Sequence, residues 1–122
     1  MHPDRVLRVL LVEDNPDDVE LTLRSFAKHN LVNPVDVVRD GAEALEYLSR
    51  TGRYADRLPD SDPDVVLLDI RLPLVDGIDV LREIRAWDPA GRPLVVMLTT
   101  SDDECDVSRC YQFGANGYVV KP

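Results

Sequence analysis

The sequence predicts an α/β fold, a doubly wound parallel sheet of five strands with helices on both faces. Three observations carry this. Five short apolar runs, at residues 9–12, 35–38, 65–68, 94–98 and 117–120, recur along 122 residues and are of strand rather than helix length. Most are apolar at consecutive positions, the habit of strands buried on both faces in parallel sheets. Helical patterns separate them and no hairpin turn signals occur, so right-handed crossovers must join the strands. The length fits a single domain over residues 1–122.

The elements follow in order. Val9, Leu10, Leu11 and Val12 form the first strand and run into Glu13-Asp14-Asn15-Pro16. Asn15 or Asp14 caps a helix with Pro16 in its first turn, and Val19, Leu23, Phe26 and Ala27 share one face of it. That helix ends near His29 and Asn30. Val35 to Val38 is the second strand, and Asp40-Gly41 opens a helix with Ala42, Leu45 and Leu48 at three-residue steps. Residues 53–63, with two prolines and no periodicity, read as a surface loop. The third strand, Val65-Val66-Leu67-Leu68, ends on Asp69, after which Asp76-Gly77 starts a helix bearing Ile78, Leu81 and Ile84. Leu94 to Leu98 is the fourth strand and finishes on Thr99-Thr100-Ser101. Asp102, Asp103 and Glu104 suit a helix first turn, Val107, Cys110 and Tyr111 its apolar side, and Gly114 its C-terminal cap. Gly117 to Val120 is the last strand, and no helix follows it. A patch of apolar sheet near the first and last strands is therefore expected to lack cover.

Charge and composition narrow the function. Fourteen Lys and Arg stand against 23 Asp and Glu, a formal net charge of −9. That balance disfavours nucleic acid, which needs a clustered basic face, and favours a cation. No apolar run is long enough for a membrane span and no leader precedes the first strand, so the expected location is cytoplasmic. Cys105 and Cys110 show neither a CxxC pattern nor metal-ligand spacing to His2 or His29. Both read as free thiols, Cys110 as a small apolar contact and Cys105 at the surface.

Residues just beyond the strands form one constellation. Glu13 and Asp14, Asp69, Thr99 with Thr100, and Lys121 all fall at carboxyl ends, the edge where open α/β sheets bind ligands. Three carboxylates there raise one another's proton affinity unless a cation sits among them. All-oxygen donors suit a hard ion, with Mg²⁺ the leading candidate. A carboxylate so held can attack phosphorus, while Lys121 can supply a cation and Thr99 a hydrogen-bond donor to the transferring group. Each residue has a blander reading: Asp69 as a turn residue, Glu13-Asp14 as cap chemistry, Thr99 as a helix start, Tyr118 as packing, Lys121 as a solvated charge. Asp17 and Asp18, with residues 102–104, read as solvated first-turn acids.

Taken together, the acidic pair Glu13-Asp14, the lone Asp69 after an apolar strand, Thr99, Tyr118 and the Lys121-Pro122 ending resemble the receiver domain of two-component response regulators. The resemblance covers the chain up to Pro122. It implies a flavodoxin-like strand order 2-1-3-4-5, here without the family's final helix. It implies that Asp69 is the phosphoacceptor for a histidine kinase, and that Glu13, Asp14, Asp69 and the backbone carbonyl of Arg71 hold Mg²⁺. By the same resemblance Lys121 bridges to the phosphoryl group, Thr99 and Tyr118 form the switch, and the Lys121–Pro122 bond is cis. It further implies a surface on the fourth helix and fifth strand that serves output partners or a homodimer. The stretch from Val12 to Asp18, Arg39 to Leu45 and Gly52-Arg53-Tyr54-Ala55 resemble stand-alone receivers serving phytochrome-type kinases.

The expected function is thus a phosphoacceptor that assists its own phosphorylation and dephosphorylation rather than an enzyme. Other classes fit less well. A Mg²⁺-dependent phosphohydrolase with an Asp nucleophile needs a second acid beside Asp69, and Ile70, Arg71 and Leu72 supply none. A flavin carrier needs a phosphate cradle after the first strand, where Glu13 and Asp14 would repel phosphate. A receiver-like partner-binding module without phosphorylation has no use for an intact acidic trio.

Overall fold

The structure is a computed structural model that describes residues 6–88, 92–100 and 104–121, with side chains from residue 107 onward in the last stretch. Its elements are β1 (Val9–Val12), α1 (Pro16–Lys28), β2 (Val35–Val38), α2 (Gly41–Ser49), β3 (Val65–Asp69), α3 (Gly77–Trp87), β4 (Leu94–Thr99), α4 (Glu104–Gln112) and β5 (Gly117–Val120). All four strand pairings are parallel and the order is β2-β1-β3-β4-β5, as expected. The strand order reverses between β1 and β3, which opens a crevice at their carboxyl ends.

The two faces of the sheet are covered unequally. Leu10, Val12, Val66, Leu68, Val95 and Met97 alternate toward one face and meet Ala44 and Tyr47 of α2, Ile78, Leu81 and Ile84 of α3, and Cys110 of α4. These side chains are all buried, and Cys110 is the apolar contact expected of it. On the other face α1 covers β1, whereas Leu67 and Leu98 are only half-buried and Val119 is exposed. There the three line a groove of about 320 Å³ with Leu21 and Phe26 of α1. The uncovered apolar surface therefore lies over β3, β4 and β5, not beside β1, whose four residues are all buried.

Helix α1 is capped by Asn15, whose side chain accepts from the backbone N–H of Asp17 and Asp18. Its inward stripe differs from the one the apolar spacing predicts. Val19 is buried and Phe26 half-buried, but Leu23 and Ala27 face solvent while Thr22 and Asp18 turn inward. The helix is rotated toward its Asp18–Thr22–Phe26 side, where Asp18 meets the partly buried ammonium of Lys121, and that polar contact is invisible to an apolar count. Tyr111 also departs from expectation: it is half exposed, standing edge-on to Tyr118 with ring centroids 6.1 Å apart. Residues 52–63 contain two 3₁₀ turns, Gly52–Tyr54 and Pro59–Ser61. The Arg57 guanidinium lies 4.1 Å from the centroid of the Tyr47 ring and its Nε donates to the Tyr47 carbonyl, so this loop is clamped onto α2.

Two further contacts hold the loops that carry the site. Arg85 of α3 donates to the carbonyls of Gly114 and Pro93 at 2.8 and 2.9 Å and to Asn116 Oδ1 at 2.8 Å, tying the α4–β5 turn to α3. Gly77 packs directly under the end of β3, where a Cβ would run into the Asp69 carbonyl and lie 2.8 Å from the Ile70 Cα. Since only backbone stands in the way, the loop must move to admit a side chain. Gly77→Ala is expected to cost about 1–3 kcal/mol through overpacking. In urea unfolding the midpoint should fall with an unchanged slope, whereas Ala86→Gly on the exposed side of α3 should cost no more than about 1 kcal/mol.

Candidate phosphoacceptor and metal site

Strand register brings the site together. Val12 pairs with Leu68, Asp69 with Leu98 and Thr99 with Val120. Glu13, Asp69, Thr99 and Lys121 therefore follow one another across the top of β1, β3, β4 and β5. Ladder bonding fixes them beyond the strand ends, since Glu13 N–H donates to Val38 and Lys121 N–H to Thr99. Side chains that are ordinarily exposed are here buried: Glu13 is 1% accessible, Asp69 6% and Thr99 5%.

Lys121 is the hub. Its Nζ donates to Glu13 Oε2 at 2.8 Å, to Asp69 Oδ2 at 2.8 Å and to Asp18 Oδ2 at 3.0 Å. Burial by itself would lower the proton affinity of this amine; the bonds to Asp69, Glu13 and Asp18 more than reverse that and hold it raised. The ammonium is thus charged throughout the neutral range. The remaining Asp69 oxygen, Oδ1, accepts from the backbone N–H of Arg71 at 3.0 Å, so both oxygens of this carboxylate are oriented.

Glu13, Asp14 and Asp69 each present an oxygen within 4.8 Å of the others. Glu13 and Asp69 are buried, and Asp14 is exposed at the rim. Burial and then the Asp69 carboxylate push Glu13 up to about 7, with Lys121 offsetting only part of it. An acid so raised needs either a proton or a cation, and an all-carboxylate donor set fits a hard divalent ion. When bound, such an ion supplies countercharge to these acids and to an incoming anion.

Of the sequence-derived residues, the structure brings Glu13, Asp14, Asp69 and Lys121 together. Tyr118 pairs with Met97 and packs on the α4 side of the sheet, the same face as Thr99 and one pleat back from it. Arg71 is exposed, and its N–H is the group that meets Asp69. The expected cis bond before Pro122 lies outside the described residues, as do Asp102 and Asp103, and the side chain of Cys105 is likewise not described. Asp18 is the residue missed: read as a solvated acid, it is a partner of Lys121. No local pattern signals this contact, because its partner lies 103 residues away along the chain.

Comparison with known proteins shows what the chain is similar to. A family model described as the response regulator receiver domain matches residues 9–122. Response regulator Rcp1 of Synechocystis sp. is 35% identical over 113 residues, covering 93% of this chain and 75% of the relative. Its Mn²⁺-bound crystal structure aligns with a TM-score of 0.84 at 34% identity, over 95% of this chain and 81% of that one. The bacteriophytochrome response regulator AtBRR is 52% identical with a TM-score of 0.85, over 97% of this chain and 84% of that one. The phosphorylated cyanobacterial phytochrome response regulator RcpA is 38% identical with a TM-score of 0.85, over 97% and 82%. With a family match that runs from β1 through the lysine hub and identities of this order to receivers of known structure, the chain belongs to the response regulator receiver domain family.

Proposed function

We propose that Asp69 is the residue on which this receiver domain takes a phosphoryl group from a histidine kinase. The observation that carries the reading is the Asp69 carboxylate itself, one oxygen on the Lys121 ammonium and the other on the Arg71 N–H, among acids poised for a divalent cation. A carboxylate oxygen forms a bond to phosphorus as the phosphorus–nitrogen bond of a phosphohistidine breaks, and the electron pair stays with the imidazole. Glu13, Asp14, Asp69 and the Arg71 carbonyl are the assigned ligands of Mg²⁺. Lys121 turns its ammonium to a phosphoryl oxygen, and its charge is worth most here because the site is largely closed to water.

In this reading Thr99 and Tyr118 are the switch. The Thr99 hydroxyl moves to the new phosphoryl oxygens and Tyr118 follows on the same face, a local charge change converted into a change of surface. The surface affected is α4–β5, where Tyr111, Val119 and Val120 are exposed and available to an output protein or to a second copy of the chain. The same groups let the domain assist its own dephosphorylation. Likeness to AtBRR and RcpA supports a phytochrome-type kinase as the donor. A cytoplasmic location is consistent with this, and among the described residues no helix is long and apolar enough to cross a membrane.

The assignment is tested by incubation with Mg²⁺ and acetyl phosphate followed by intact-mass measurement. Wild type should gain one base-labile phosphoryl group; Asp69→Asn should not; Asp64→Asn, at the opposite end of β3, should behave as wild type. Sustained release of phosphate from an ester substrate would favour a phosphohydrolase instead.

Metal affinity should depend on pH through Glu13. Because its proton affinity is raised, the metal-free site is protonated below about 7 and a metal must displace that proton. Calorimetric titration with Mg²⁺ should therefore show proton release and weaker binding below about 7, and tighter binding above it. The sign for stability is opposite in the metal-free protein. The raised Glu13 contributes fully below its ordinary value of 4.5, and that contribution is lost as pH rises through about 7. Glu13→Gln should flatten this decline.

A further inference from the structure

We propose that Asp18 is a positioning residue for the phosphoryl chemistry: its carboxylate tethers the Lys121 ammonium over Asp69 and so sets how fast the acyl phosphate forms. This inference rests on Asp69 being the phosphoacceptor. An ammonium has three N–H donors, and here all three are committed, to Glu13, Asp69 and Asp18. The three bonds are not equivalent. Glu13 and Asp69 belong to the cluster that takes up the metal and the phosphoryl group, so their hold on Lys121 must loosen during the reaction. Asp18 lies outside that cluster, on the first turn of α1, and is the partner that stays.

The geometry argues for a specific role over general helix chemistry. An acid at a helix N-terminus is favoured by the macrodipole wherever its side chain points. Asp17, one residue earlier, obtains that benefit with its side chain in solvent. Asp18 instead places a third carboxylate beside two buried ones in a chain of net charge −9. Like charges so close are unfavourable unless the cation between them is held in return. A lysine has four rotatable carbon bonds and loses much rotamer freedom when fixed. A third anchor, contributed by α1 rather than by the strand ends, removes that freedom before the donor arrives.

During transfer a bond forms between an Asp69 oxygen and phosphorus, and the donor's phosphorus–oxygen or phosphorus–nitrogen bond breaks with its electron pair leaving on the donor. Asp18 takes no part in either bond and acts only through the position of Nζ. A displaced charge-stabilising group costs up to about a hundredfold in rate. Asp18→Ala should accordingly slow phosphorylation by acetyl phosphate by roughly tenfold or more. Asp18→Asn keeps an oxygen able to accept from Nζ and should recover most of that loss. Asp17→Ala removes the same charge one residue away and should match wild type.

A second measurement reads the tether directly. The sequence contains two lysines, Lys28 and Lys121, so selective ¹⁵N-lysine labelling gives an ammonium spectrum with two assignable signals. Lys28 on exposed α1 surface serves as the fast-exchanging reference. The Lys121 ammonium should be observable and slow to exchange in wild type and Asp18→Asn, and should exchange faster in Asp18→Ala. Equal exchange and equal phosphorylation in all variants would overturn the proposal, as would Asn and Ala falling together, which would mean charge rather than position. Should wild type itself not be phosphorylated, the phosphoacceptor reading fails while the exchange experiment still decides whether Asp18 holds Lys121.

Discussion

A single ammonium group holds the working end of this molecule together. Lys121, just past β5, neutralises acids contributed by β1, α1 and β3, in a chain whose net charge of −9 would otherwise push them apart. Two of those acids are almost wholly buried, and ionised carboxylates are costly to bury without a partner. The lysine makes the metal-free site tolerable, and Glu13 shows the residual cost in its raised proton affinity. The cluster is therefore poised: it favours any cation that can share its charge, and it has a cation ready for an incoming anion.

That arrangement depends on accurate strand ends, and much of the fold serves to fix them. Parallel pairing brings Glu13 and Asp69 to the same level and sets β4 and β5 so that Thr99 and Lys121 complete the row. Gly77 permits α3 to start against the backbone of Asp69 and Ile70. Arg85 spends its guanidinium on two carbonyls and Asn116, and Asn116 Oδ1 also accepts from the Val95 N–H. Burial lowers its proton affinity, yet an arginine remains charged, so this is a permanent strap between α3 and the turn before β5. The cation–π contact of Arg82 over Phe113 reinforces it, with the guanidinium 4.9 Å from the ring centroid. The site's lysine thus sits at the end of a strand anchored on its entry side by α3.

The sheet face under α1 is the less finished of the two. Leu67, Leu98 and Val119 remain partly open beside Leu21 and Phe26, while Val66, Leu68, Val95 and Met97 on the α3 face are sealed. Rotation of α1 toward this side is what lets Asp18 reach Lys121. The same rotation turns Leu23 and Ala27 outward, so one polar contact and two displaced apolar residues have a common cause.

Sequence alone determined the strands, their alternation with helices and the acids, hydroxyl and lysine at the carboxyl ends. Unbroken apolar runs and their terminal residues are local patterns, and local patterns survive without coordinates. A cap at Asn15 or Asp14, which the structure gives to Asn15, and Cys110 as core contact were legible for the same reason. Tertiary structure decided what depends on elements distant in the chain. Asp18 and Lys121 are separated by 103 residues, and nothing in either neighbourhood announces the other. The Arg57 clamp on Tyr47 and the Arg85 strap likewise join polar groups whose partners are carbonyls, which carry no side-chain signature. The register of the strands chooses which charges meet, and from that choice follow both the proton affinity of Glu13 and the third anchor on Lys121.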